Sequence, residues 1–122
     1  EANLLSNMVI KNEEDIELSA KYIIELGAKA VLIKGGGLQN MQGKDFYFDC
    51  TGERKWFINK YVNTRNTHGS GCTLSSAICG YQALGFDLIE SIKKAKLFIE
   101  RSLEKSYKIG SGPGPLGHYQ SP

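Results

Sequence analysis

The chain has 122 residues, 41% hydrophobic and 23% charged, with a formal net charge of +2. That length suits one modest domain with a single core, and the charge is too small to make nucleic acid or an anionic membrane the main partner. No apolar run approaches membrane-spanning length, and no basic stretch followed by an apolar one opens the chain.

Glu1 leads directly into Ala2-Asn3-Leu4-Leu5 without an initiator Met, which reads as a piece cut from something longer. Asn12 is a suitable N-cap, and Glu13, Glu14 and Asp15 put negative charge where the helix macrodipole favours it. Ile16, Ala20, Ile23 and Ile24 then share one helical face, with Gly27 as terminator. Ala30-Val31-Leu32-Ile33 is apolar on consecutive residues, which predicts a strand covered on both faces and hence a partly parallel sheet. Helix, short turn and buried strand make half of a βαβ unit and place the chain in the α/β class.

Lys34-Gly35-Gly36-Gly37 follows at the C-terminal end of that strand, where open α/β sheets bind ligands. Two readings stay open there: a reachable ammonium beside an uncrowded loop, or a strand leaving for water through a plain loop. Phe46-Tyr47-Phe48 and Trp56-Phe57-Ile58, separated by Thr51-Gly52-Glu53, predict a β-hairpin at the sheet edge. Without a basic groove beside them, these aromatics read as sheet packing rather than a base-stacking surface.

His68-Gly69-Ser70-Gly71-Cys72-Thr73 is the stretch with most chemistry in it. Its glycines permit close backbone approach, and the helix predicted to begin there aims free N–H groups at the same spot. A helix start is an anion site, and its dipole also favours a thiolate. Read from the residues alone, the stretch is either a phosphate cradle with Cys72 as proton acceptor or a tight loop with an inert thiol. His68 has no visible carboxylate partner and reads as a loop hydrogen-bonding residue. Leu74, Ala77, Ile78, Tyr81 and Leu84 fall at helical spacing up to Gly85, and Cys79 is expected among them in the core. Asp87-Leu88-Ile89-Glu90 resembles a capping box and opens a last helix with a Leu88, Ile92, Ala95, Ile99, Leu103 core stripe. Residues 110–122 are predicted to be a flexible Gly/Pro-rich tail. Three cysteines, Cys50, Cys72 and Cys79, cannot all pair and form no zinc-type spacing, so a reducing, cytoplasmic setting is expected.

Asn66-Thr67-His68-Gly69-Ser70-Gly71-Cys72-Thr73-Leu74-Ser75, Lys34-Gly35-Gly36 and Gly112-Pro113-Gly114-Pro115 with His118 together resemble hydroxymethylpyrimidine/phosphomethylpyrimidine kinase, the thiamine-biosynthetic branch of the ribokinase-like superfamily. The similarity spans nearly the whole chain but only the C-terminal half of the family's domain. It implies that residues 1–122 are the nucleotide and anion-hole portion of one kinase domain, half of a three-layer α/β/α fold. The resemblance also implies site roles. Gly69, Ser70 and Gly71 would form the anion hole, Cys72 would act as base, and Lys34 would meet the ATP phosphates. Thr67, His68, Ala95 and Lys96 would lie about the nucleotide, and Glu1 would close an Asn-x-x-Glu element that helps organise Mg²⁺. Gly37 stands where relatives often have histidine, and Ser70 where threonine is common.

The implied activity is ATP-dependent phosphorylation of 4-amino-5-hydroxymethyl-2-methylpyrimidine and then of its monophosphate, with ATP and Mg²⁺ as cofactors and this stretch inactive alone. A pyridoxal kinase of the same branch, or a non-catalytic fragment that binds nucleotide or oligomerises, are the alternatives. Expected partners are the small pyrimidine and either a second copy or the missing N-terminal half.

Overall fold

A computed structural model of the chain describes residues 1–37, 41, 43–58, 70–105 and 114–118. They fall into two compact units, residues 1–58 and 59–122. Among the described residues no helix is long and apolar enough to cross a membrane.

In the first unit, helix α1 (Ala2–Ser6) is followed by α2 (Glu13–Glu25), strand β1 (Ala30–Lys34), a 3₁₀ turn (Gly35–Gly37), β2 (Lys44–Asp49) and β3 (Arg54–Ile58). The cap predicted at Asn12 forms: the Asp15 N–H donates to its Oδ1 at 2.9 Å. Gly27 ends the helical segment at φ 112°, a conformation that suits glycine. One face of α2 presents Ile16, Ala20 and Ile23, which are buried with Ile33, Met41 and Phe46 in a single cluster. Phe46 is the largest of the fully buried side chains, and its ring lies 4.8 Å from that of Trp56 on the neighbouring strand. Trp56 in turn donates its Nε1–H to Glu17 Oε1 at 3.0 Å, so sheet and α2 are joined by a polar contact beside the apolar ones.

The sheet order is β1-β2-β3, and both pairings are antiparallel. The hairpin of β2 and β3 is the one expected, with Phe46 opposite Trp56. The parallel neighbour expected for β1 is not among the described strands; β1 pairs with β2 alone, antiparallel, from Ala30 opposite Asp49 to Lys34 opposite Asp45. Of its four apolar residues only Ile33 is buried, the other three being half-buried. An apolar run reports burial, not the direction of the neighbouring strand, and α2 already covers one face. At the hairpin turn the Asp49 carboxylate accepts from the Thr51 side chain and the Tyr47 phenol, as well as from two backbone N–H groups. Those bonds hold Asp49 below the usual carboxylate range, led by Thr51, while burial first and Asp49 second push the Tyr47 phenol up.

The second unit contains α3 (Ser70–Ala83) and α4 (Leu88–Glu104), which pack on each other. The Glu90 N–H donates to Asp87 Oδ1 at 2.8 Å, the predicted cap of α4. Ile92 and Ala95 of the predicted stripe are buried, and Leu88, Ile99 and Leu103 half-buried. Of the tail predicted from residue 110, Gly114–His118 is described and contacts α4. Leu116 is buried, and the Gly117 N–H donates to Ser102 O at 3.0 Å. The remainder of that tail lies outside the described residues.

Candidate active site

Cys72 lies in the first turn of a 14-residue helix that begins at Ser70. First-turn amides have no partner within their own helix, so α3 presents N–H donors where its dipole is positive. Gly71 and Cys72 are both exposed, Thr73 is half-buried, and Leu74 is the first residue to enter the core. Among the described residues, two side-chain bonds brace this turn. Ser75 donates its hydroxyl to Gly71 O at 3.1 Å, and Thr73 Oγ1 lies 3.0 Å from His118 Nε2.

A cavity of about 590 Å³ opens beside Cys72. Cys72 and Thr73 line it at the start of α3, Tyr81 and Leu84 further along, Phe98 from α4, and His118 from the C-terminal segment. Its walls are mostly apolar and aromatic, with polar groups gathered at the Cys72 end. That is the usual make-up of a site for a small organic ligand. The α3 stripe therefore serves partly as a cavity wall rather than wholly as core. Leu84 is 75% exposed, and Cys79, expected in the core, is exposed as well. Cys72 and Cys79 share a face, as a seven-residue spacing requires, and that face is open.

The remaining sequence-predicted residues are distributed as follows. Thr67, His68 and Gly69 lie outside the described residues, and of Ser70 only the backbone at the head of α3 is described. Lys34 is the exposed last residue of β1, in the first unit. The turn after it is fixed: the Gly35 N–H donates to the buried carboxylate of Asp45 at 3.2 Å. A side chain at Gly35 would meet Met41 O at 2.6 Å and Lys44 O closer still, so only glycine lets the chain leave the strand there. Ala95 and Lys96 on α4 are 0% and 6% exposed, and neither lines the cavity. Glu1 is exposed and caps α1 without a side-chain hydrogen bond.

Among the described residues no group of three or more His, Cys, Asp or Glu could hold a metal ion. Glu1 alone does not make a Mg²⁺ site. ATP fits the described residues better, since the α3 turn offers amide donors and the adjoining cavity can take an organic ring.

Sequence reasoning gives no site role to Thr73, Tyr81, Phe98 or His118, which all line the cavity. Thr73 and His118 are 45 positions apart, and no local pattern links them. Gly117 allows the approach, because a Cβ there would run into Lys105 backbone atoms. Gly117→Ala is expected to unseat the segment, with an overpacking cost of about 1–3 kcal/mol. The check is amide exchange at residue 117, which should quicken at least tenfold while α2 amides keep their rates.

The family model described as phosphomethylpyrimidine kinase matches residues 1–117. A hydroxymethylpyrimidine/phosphomethylpyrimidine kinase of Synechococcus elongatus is 40% identical over 121 residues, 98% of this chain and 45% of that protein. A thiamine biosynthesis bifunctional protein of Geobacter sulfurreducens is 37% identical over 118 residues, 97% of this chain and 24% of that protein. Among solved structures, pyridoxal kinase of Bacillus subtilis, in an ADP complex, superposes with a TM-score of 0.90 at 34% identity. That match covers 97% of this chain and 46% of the kinase, and it puts the described elements in the ribokinase-like α/β fold. The chain thus spans somewhat under half the length of the kinases it matches.

Proposed function

The chain belongs to the phosphomethylpyrimidine kinase family, and from that premise we propose that the protein containing it transfers the γ-phosphoryl group of ATP to the hydroxymethyl group of 4-amino-5-hydroxymethyl-2-methylpyrimidine. A second transfer to the resulting monophosphate follows, in service of thiamine biosynthesis. The observation that carries this is the exposed Cys72 in the first turn of α3, at the polar end of the cavity.

The alcohol oxygen attacks the γ-phosphorus in line. As that P–O bond forms, the bond to the β-phosphate oxygen breaks and ADP leaves. The protein's task in such a transfer is positioning and charge neutralisation. Amides of Gly69, Ser70, Gly71 and Cys72 receive the charge on the transferring group, each worth about 3 kcal/mol where it matches developing charge. Cys72 takes the alcohol proton late, because an alcohol becomes acidic only as the new bond forms. The resemblance would have Lys34 meet the ATP phosphates. It would assign Thr67, His68, Ala95 and Lys96 to nucleotide binding. The 122-residue chain by itself, spanning 45% of the Synechococcus elongatus kinase, is expected not to turn over.

Lys34→Ala is expected to raise the KM for ATP about tenfold, the size of one lost charge-assisted hydrogen bond, with a smaller effect on the KM for the alcohol. Nucleotide titrations of the two proteins check this; superimposable curves would remove Lys34 from the site.

Pyridoxal is the second substrate to consider, because the superposed ADP complex is a pyridoxal kinase. A panel of alcohols with the intact protein and ATP decides between them. The pyrimidine alcohol is expected to give the higher kcat/KM, and a preference for pyridoxal would reverse the assignment.

A further inference from the structure

We propose that His118 is a positioning residue that pins the first turn of α3, and with it Cys72, through Thr73. Its Nε2 lies 3.0 Å from Thr73 Oγ1, one residue beyond Cys72 in the same turn. Its ring stacks on Phe98 of α4 with centroids 6.5 Å apart and planes at 25°. The segment that brings it there is anchored immediately before it, by the buried Leu116 and the Gly117–Ser102 backbone bond. His118 therefore has a fixed approach, a fixed ring plane and one polar contact with the helix start.

The contact matters because a helix start frays more readily than its interior. The first-turn amides have no intrahelical backbone partner, so contacts made by side chains weigh more in ordering that turn than in the helix interior. Ser75 braces the turn from within α3, whereas His118 joins it to α4 through the C-terminal segment. A turn free to move would spread its amides and its thiol over several positions. Loss of alignment at a reacting centre lowers turnover more than it weakens ground-state binding. His118 also lines the cavity together with Cys72, so its ring borders that space while its Nε2 holds the turn.

Two substitutions separate ring from nitrogen. His118→Phe keeps a flat ring for Phe98 and loses the bond to Thr73; His118→Gln offers both a donor and an acceptor near the place of Nε2. In the intact protein, His118→Phe is expected to speed amide exchange over Leu74–Ser76 about fivefold, the worth of one ordinary hydrogen bond. It should also lower kcat by a similar factor with the KM for ATP nearly unchanged. His118→Gln is expected to restore most of both. Thr73→Val should match His118→Phe, and the double variant should be no worse than either single one, since all remove the same bond.

The turnover arm rests on the kinase reading of Cys72, whereas the exchange arm does not. Unchanged exchange in His118→Phe and Thr73→Val overturns the tether. Faster exchange with wild-type kcat, or no rescue by His118→Gln, overturns the positioning role. Absence of transfer to the pyrimidine or pyridoxal by the wild type would instead defeat the kinase reading, and exchange alone would then judge the tether.

Discussion

Cys72→Ala in the intact protein is expected to lower kcat by about a hundredfold to ten-thousandfold, the usual worth of a positioned general base. The KM for ATP should barely move, because the backbone amides that would hold the phosphates remain in place. The thiol is exposed in the first turn of α3 and lines the cavity, where an alcohol substrate can reach it. Cys79 provides the control. It lies on the same open face two turns further along and is not among the cavity residues, so Cys79→Ala should leave turnover unaltered. Steady-state kinetics of the two variants side by side check the expectation. Equal and undiminished turnover in both would take the thiol out of the mechanism.

The other large effect is structural. Phe46→Ala is expected to destabilise the protein by about 3–5 kcal/mol. Phe46 is 1% exposed at the centre of the cluster that joins α2 to the sheet, and it touches Trp56 across the hairpin. Truncation removes the ring from both layers at once and leaves a hole that the surrounding strands can only partly close. Against a typical total stability of about 5–15 kcal/mol this is a substantial fraction. Leu4, 87% exposed on α1, is the comparison, and Leu4→Ala should cost less than about 0.5 kcal/mol. Urea midpoints measure both. A Phe46→Ala protein as stable as Leu4→Ala would mean that this cluster is not what holds the first unit together.

Much of the fold was legible because its signals are local. Asn12 and Asp87 each sit one residue before a helix and do the capping their side chains allow. The paired aromatic runs around Thr51-Gly52-Glu53 form the hairpin that alternation and turn residues predict. What was hidden depends on neighbours distant in sequence. Helix α1 has only five residues, too few for a period to declare itself. The run Ala30–Ile33 announced a strand but not the antiparallel pairing with β2.

The site divides in the same way. Glycines around Ser70 and a cysteine at a helix start are adjacent letters, so the candidate catalytic turn could be read directly. His118 could not, since its contact with Thr73 exists only once Gly117 lets the chain cross Lys105. A glycine- and proline-rich tail reads as loose, and only the buried Leu116 and the Gly117 bond reveal that part of it is docked.

At the centre of this account is phosphate capture by the backbone at the start of α3. The most direct measurement is a titration of the isotopically labelled intact protein with a non-hydrolysable ATP analogue, following the amide resonances of Gly69, Ser70, Gly71 and Cys72. Those four should shift together and saturate with the same affinity as the nucleotide itself. Saturable nucleotide binding that leaves all four resonances in place would contradict the account.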